Sequence, residues 1–178
     1  MGKEIERQRR HKDWNSLLLE FGINDIAGLM GVRYHDIPVE VNIVALWKRN
    51  RKFIGEIVTD IGTPVTISSE FKNANAFAVA VMTSAQYIAF FHTHPVGSLN
   101  HRFSHTDVLS MSKKARTAHK ILGLDVMGHF LITPQYVYFM PDEKMQLLQD
   151  ENEYEKYCQE EELTAEACIL DSTPAKQE

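Results

Sequence analysis

The chain has 178 residues, of which 44% are apolar and 24% are charged, so it can form one domain with a buried core but not two full domains. Its longest apolar run, residues 76–82, is far shorter than the roughly 20 residues that a membrane-spanning helix needs. No apolar signal core follows the charged N-terminus, and the two cysteines, Cys158 and Cys168, are too few for a disulfide framework. The net charge of −5 does not favour nucleic-acid binding by the whole molecule. We therefore expect a soluble, cytoplasmic protein.

Residues 1–36 are predicted to form an N-terminal helical lead. Apolar residues recur between Trp14 and Leu29 with the spacing of two short helices. We expect this segment to cover one face of the main domain.

Residues 37–141 are predicted to form the main domain. The segments 39–47 and 53–59 are β-rich and are joined by the basic residues 48–52, which indicates a hairpin. Gly123 stands where a helix would end. The further predicted elements are a short strand at 65–67, a helix at 71–83, a strand at 87–91, a helix at 104–122, and strands at 126–132 and 136–140. This order of strands and helices indicates an α/β domain.

Residues 142–178 differ in composition from the rest of the chain. Ten acidic residues lie between positions 142 and 166, against two lysines. Such a run is more typical of a solvated helix face than of a dedicated partner surface. Residues 172–178 are expected to form a flexible tail.

The residues most suggestive of a metal site are His92-Thr93-His94-Pro95, followed by Ser104 and Asp107. Residues i and i+2 of a strand point to one face, so His92 and His94 can present two imidazoles to one ion. Asp107, in the first turn of the next helix, can add a carboxylate oxygen and leave a fourth position open to water. An open position is typical of a catalytic rather than a structural zinc site.

Each part of this pattern also has a simpler structural explanation. His-x-His alone is a weak signal, and Ser-x-x-Asp is also a helix capping box in which Ser104 and Asp107 satisfy free backbone amides. Both roles can coexist. The order of strand, His-x-His-Pro, loop, Ser-x-x-Asp and helix makes the combination more specific than its parts.

At these residues the sequence resembles the JAMM (MPN-plus) metalloproteases, and within them the RadC-like JAB domains. The supporting stretches are 39–41 with the basic turn after it, 89–92, and 121–132. The resemblance covers about residues 38–141 and implies a JAB/MPN-like fold, a curved mixed sheet flanked by helices. It also implies a zinc metalloprotease that hydrolyses a peptide or isopeptide bond. Residues 1–36 are shorter than the helix-hairpin-helix region of full RadC proteins.

The resemblance also implies a role for each residue of the motif. It makes His92, His94 and Asp107 the ligands of Zn²⁺, Glu40 the base that activates water, and Ser104 a donor to the oxyanion. Zinc lowers the pKa of bound water toward about 7, and a nearby carboxylate can then accept its proton.

The general base has two alternatives. Glu56 and Glu70 also precede the histidines, but only Glu40 begins an apolar strand. Glu40 is therefore the predicted base.

The third ligand has alternatives as well. The loop 95–103 is longer than the spacing usual in the family, which brings His101 and His105 near the metal. Asp107 keeps its offset from Ser104 and remains the predicted ligand. His129 is expected to be a structural histidine.

Basic runs leave a nucleic-acid role open. Residues 48–52 and 113–120 could contact phosphate, although a hairpin turn and a solvated helix face explain them without a ligand.

Three functions remain open from the sequence. The first is a peptidase or isopeptidase acting on a protein or peptide, with ubiquitin-like proteins among the candidates. The second is a RadC-like nucleic-acid-associated module of DNA repair or a mobile element, in which zinc is not used for proteolysis. The third is a catalytically idle scaffold, a class that typically lacks the metal ligands.

Overall fold

The computed structural model describes residues 22–62, 74–95 and 102–163. Most of the predicted helical lead, the predicted strand at 65–67 and the predicted tail lie outside these residues. In chain order the elements are α1 (Ile23–Tyr34), β1 (Val41–Lys48), β2 (Phe53–Ile61), α2 (Ala74–Met82), β3 (Ala85–Thr93), α3 (His105–Leu122), β4 (Asp125–Ile132), β5 (Val137–Met140), α4 (Asp142–Leu147) and α5 (Glu151–Leu163). None of the helices within these ranges is long and apolar enough to cross a membrane.

The five strands form one mixed sheet in the order β2-β1-β3-β4-β5. β1 pairs antiparallel with both β2 and β3, β3 pairs parallel with β4, and β4 pairs antiparallel with β5. The parallel pair is connected by α3, because parallel neighbours need a crossover that reverses the chain. The predicted mixed sheet flanked by helices is confirmed.

Both faces of the sheet are covered, which explains why β1 is buried almost throughout. One face packs against α2, α3, α4 and α5 through an apolar cluster that includes Leu46, Phe90 and Met111. The other face packs against α1 through a second cluster that includes Met30 and Trp47. We call these the α3 face and the α1 face.

Two glycines satisfy backbone requirements that other residues meet poorly. Gly123 ends α3 with φ of 64°, and its amide donates to the carbonyl oxygens of Ala118 and His119, as the sequence predicted for a helix cap. Gly128 has φ of 144° at the point where the register of β4 against β3 shifts. That irregularity turns His129 toward the α3 face, where its ring stacks on Phe90 at 5.5 Å.

We predict that Gly128→Ala destabilises the protein by about 2 to 4 kcal/mol, the sum of a backbone strain and an overpacking cost. A Cβ at this position would clash with the ring of Phe139 and lie 3.0 Å from the carbonyl oxygen of Met140. Urea unfolding measures the loss. Gly28→Ala is the control, because no atom lies within 4 Å of its added Cβ, and it should leave stability unchanged or slightly higher. Equal stability of the two variants would contradict the prediction.

Candidate metal centre

Two imidazoles lie at the C-terminal end of β3, on the α3 face of the sheet. His92 is the penultimate residue of β3. The His94 amide donates to the carbonyl oxygen of Ile132 at 2.9 Å, so the strand pairing with β4 continues past Thr93. The two rings are 5.0 Å apart and nearly perpendicular, and both side chains are buried. The predicted pair of histidines on one face is therefore present.

Asn42 on β1 orients the first of these rings. It is the register partner of His92, and its Oδ1 lies 3.1 Å from Nδ1 of the imidazole. An amide oxygen only accepts, so Nδ1 carries the proton and Nε2 carries the lone pair. Burial lowers the pKa of His92 to about 4, which keeps the ring neutral at pH 7. A neutral imidazole oriented by a neighbour in this way is the form that binds metals.

Asp107 enters the site from the first turn of α3. Ser104 is the N-cap, and the capping box is complete: the Ser104 hydroxyl accepts from the Asp107 amide, and Asp107 Oδ2 accepts from the Ser104 amide at 2.8 Å. The Ser104 hydroxyl also lies 2.6 Å from Oδ2 and donates to it. These contacts fix the carboxylate and place Oδ1 3.3 Å from His92 Nε2.

The electrostatics of the three side chains fit a cation. His92 Nε2 is buried without a hydrogen-bond partner, and its lone pair lies beside a carboxylate oxygen. His94 Nε2 is also 3.3 Å from Asp107, at Oδ2. Burial acts to raise the pKa of Asp107, but His94, His92 and Ser104 outweigh it and hold the pKa well below its usual range. An ionised carboxylate and the lone pair of an imidazole repel each other unless a positive charge lies near both. These three side chains therefore fit a metal ion.

Glu40 lies beside this group, immediately before β1. Thr93 holds this segment to β3, because its hydroxyl accepts from the Val41 amide at 2.7 Å and donates to the Val39 carbonyl oxygen at 3.3 Å. As a result, one carboxylate oxygen of Glu40 and one ring nitrogen of each histidine lie within 4.8 Å of one another. The structure thus brings two carboxylates, those of Glu40 and Asp107, to the same pair of imidazoles.

The environment of Glu40 suits a proton acceptor. The side chain is half-buried, and burial raises its pKa, as does the negative charge of Asp107, while His94 acts in the opposite direction. A raised pKa brings a carboxylate closer to the operating pH of a general base. Which of the two carboxylates is a ligand and which is a base remains a prediction from the sequence.

The alternative base Glu56 lies on the other side of the sheet. It is the register partner of Ala45, whose side chain belongs to the α1 face, and it pairs with Arg33 and accepts from the Tyr34 hydroxyl at 3.0 Å. The other alternative, Glu70, lies outside the described residues.

Of the alternative ligands, His101 lies outside the described residues. His105 points toward the C-terminal helix, with Nε2 3.3 Å from the carbonyl oxygen of Gln149. His129 is completely buried, and its Nε2 lies 2.8 Å from Asp142 Oδ1, an arrangement consistent with a structural role. The Ser104 hydroxyl proton is directed to Asp107, so its predicted role as an oxyanion donor requires a rotation of that hydroxyl.

Three residues near the site were not predicted from the sequence to take part in it. In the sequence, Asn42 and Thr93 look like ordinary strand residues. A polar residue within the apolar strand β1 could nevertheless have indicated a specific role for Asn42. The prediction that Lys114 belongs to a solvated helix face is wrong. This lysine lies two turns after Asp107 on α3 and is only 8% exposed. Burial lowers its pKa to about 8, with Asp107 and Asp60 acting in the opposite direction.

Comparison with known families agrees with the geometry. The family described as RadC-like JAB domain matches residues 23–146. The chain belongs to this family. The match begins with α1 and ends within α4, so it includes the whole sheet, the His-x-His segment and α3. A search of curated proteins found no match.

We predict that the metal-free protein loses stability as the pH falls from about 6.5 to about 4. The folded-state pKa of His92 is about 4 against 6.5 for the unfolded chain, so the unfolded state binds the proton first. Between pH 7 and pH 4.5 this group should cost about 2 to 3 kcal/mol.

Urea unfolding of His92→Gln at the same two pH values is the comparison, because the amide cannot titrate. The variant should lose less stability than the wild type by about that amount. An identical loss in the two proteins would contradict the prediction.

Proposed function

We propose that this protein is a zinc-dependent metallopeptidase or isopeptidase. The observation that supports the proposal is the group formed by the buried His92 and His94 and the partly buried Asp107, with the Glu40 carboxylate beside both imidazoles. Membership of the RadC-like JAB domain family supports the same chemistry.

The donor set supports zinc among the common metals. Two neutral imidazoles and one carboxylate are a ligand set of catalytic zinc sites, in which a further position stays open. Mg²⁺ and Ca²⁺ prefer oxygen ligands, and two ring nitrogens suit them poorly. Asn42 occupies Nδ1 of the His92 ring, and Nε2, which faces the Asp107 carboxylate without a hydrogen-bond partner, is left for such an ion.

Zinc, when bound, would act as a Lewis acid on water and on the carbonyl oxygen of the scissile bond. Glu40 would accept the proton of the attacking water and pass it to the leaving amine. Asn42 would hold His92 in the tautomer that coordinates, and Ser104 would hold Asp107. The Ser104 hydroxyl, after rotation, would donate to the carbonyl oxygen as negative charge develops on it.

The substrate we propose is a protein or peptide. Short fluorogenic peptides and ubiquitin-like fusions are the first probes, because the family resemblance implies peptide or isopeptide bonds. A parallel assay for salt-dependent DNA binding separates this proposal from a nucleic-acid-associated module.

We predict that the purified protein binds about one zinc ion and that His92→Ala and Asp107→Asn each weaken that binding. Each change removes one of three protein ligands, so the zinc Kd should rise at least tenfold. Competition with a chromophoric chelator measures the affinity.

Matched controls are available on exposed positions. His35→Ala and Asp125→Asn make the same chemical changes away from the site and should keep wild-type affinity. Full zinc binding by Asp107→Asn would remove Asp107 from the ligand set. If zinc binding is lost only in Glu40→Gln, the carboxylate ligand is Glu40 instead of Asp107.

We predict that Glu40→Gln lowers peptide turnover by about 10²- to 10⁴-fold, the usual contribution of general-base catalysis. The amide keeps the size of the side chain but accepts no proton at neutral pH. Zinc content should stay at the wild-type level. The measurements are turnover under saturating substrate and metal analysis of the same sample.

Glu56→Gln is the control, because its side chain lies on the α1 face with Arg33 and should not affect turnover. Normal turnover by Glu40→Gln would show that the base is misassigned. Absence of any chelator-sensitive cleavage in the wild type would reject the proposed function.

A further inference from the structure

The C-terminal helix α5 packs against the segment that leads into α3. We call residues 102–104 together with the first residue of α3, His105, the entry segment. The family match ends at residue 146, so α5 (Glu151–Leu163) lies beyond it. The acidic composition of this helix predicted a solvated face, yet Tyr154, Tyr157 and Cys158 contact the α3-face core.

Three residues of the entry segment contact this C-terminal region. The Arg102 guanidinium donates to the carbonyl oxygen of Cys158 at 2.8 Å, and the Tyr154 hydroxyl donates to the carbonyl oxygen of Phe103 at 2.8 Å. The His105 ring lies 4.9 Å from the Tyr154 ring and places Nε2 near the carbonyl oxygen of Gln149.

Apolar contacts hold α5 in place. The Phe103 side chain is 1% exposed, and Tyr157 is buried in the same cluster. The ammonium of Lys144 lies 4.5 Å from the centre of the Tyr157 ring, which adds a cation–π contact between α4 and α5. The helix is thus fixed by its own packing and can serve as a support for the entry segment.

Ser104 is the remaining residue of the entry segment, and its position determines that of Asp107. Its amide and hydroxyl both contact Asp107 Oδ2, so a shift of the Ser104 backbone moves the carboxylate relative to the two imidazoles. Residues 102 and 103 also end the loop 95–103, which the family resemblance predicts to be lengthened, and a longer loop constrains its ends less. A contact that fixes Phe103 and Arg102 offsets that loss of constraint.

We propose that α5 is a positioning element of the candidate metal centre, with Tyr154 and Arg102 as its positioning residues. This inference rests on the proposed function, because the carboxylate that it positions is a predicted zinc ligand. Tyr154 acts through Phe103 and Ser104 and does not contact the proposed metal ligands.

The chemistry of Tyr154 suits a permanent donor. Burial raises the pKa of its hydroxyl to about 12, and interaction with Cys158 acts in the same direction. The hydroxyl therefore stays protonated across the neutral pH range. Its bond to the Phe103 carbonyl oxygen should not vary with pH in that range.

The test compares Tyr154→Phe with wild type in the full chain. Phenylalanine keeps the ring that packs on His105 and removes only the hydroxyl that donates to Phe103. A second variant, Arg102→Met, removes the contact to Cys158. The controls are Tyr136→Phe, the same change in the β4–β5 turn, and Glu155→Gln on the exposed side of α5.

The first measurement is amide hydrogen exchange of the metal-free protein. Exchange at Asp107 and Val108, whose amides bond to Ser104, should accelerate about 2- to 10-fold in Tyr154→Phe, the equivalent of one net hydrogen bond. Exchange at Phe91 and Leu131, in the central strands, should not change. Both control variants should exchange as wild type does.

The second measurement is zinc affinity by chelator competition. Tyr154→Phe and Arg102→Met should each raise the zinc Kd about 2- to 10-fold, and the controls should not. Unchanged exchange at Asp107 would overturn the inference, as would equal acceleration at every site, which indicates a general loss of stability. Accelerated local exchange with unchanged zinc affinity would also overturn it.

The two measurements separate this inference from the proposed function. If wild-type protein binds no zinc, the proposed function is rejected, and the positioning of a metal ligand is rejected with it. The exchange data would still determine whether α5 holds the entry segment.

Discussion

The antiparallel pairing of β1 with β3 is the constraint on which the site depends. It places Asn42 opposite His92, so that one amide oxygen sets the tautomer of the imidazole. It also brings the start of β1 to the end of β3, where Thr93 bonds to both sides of the Glu40 segment. A register shift of one residue would turn Asn42 to the α1 face and remove its bond to His92.

The second constraint is the parallel pairing of β3 with β4, which requires a crossover and thus the helix α3. β3 ends beside the two histidines, and the first turn of α3 brings Asp107 to within 3.3 Å of both imidazoles. The partial positive charge of a helix N-terminus stabilises an ionised Asp107, in addition to the hydrogen bonds from Ser104. The same residues therefore cap the helix and supply a carboxylate to the site, and the two explanations considered for Ser-x-x-Asp are compatible.

The contacts of α5 extend this arrangement beyond the family match. The acidic residues of α5 whose side chains the structure describes, Glu151, Glu153 and Glu155, are exposed, as expected for a solvated helix face. Its tyrosines are turned toward Phe103 and the core. A helix with a polar composition can still make a few well-placed contacts, and here they fall on the residues that precede Ser104. Composition averages over both faces of a helix, which is why it could not predict this packing.

The sequence by itself determined the α/β order of elements, the pair of histidines on one strand face and the capping box at Asp107, because these depend on local periodicity and spacing. It also favoured Glu40 over Glu56 through the start of an apolar strand. Only the tertiary structure decided that Glu56 lies on the opposite face with Arg33, that Lys114 is buried near Asp107, and that Asn42 and Thr93 orient the site. These facts depend on strand register and on contacts between residues far apart in the chain, and neither is encoded in a local pattern.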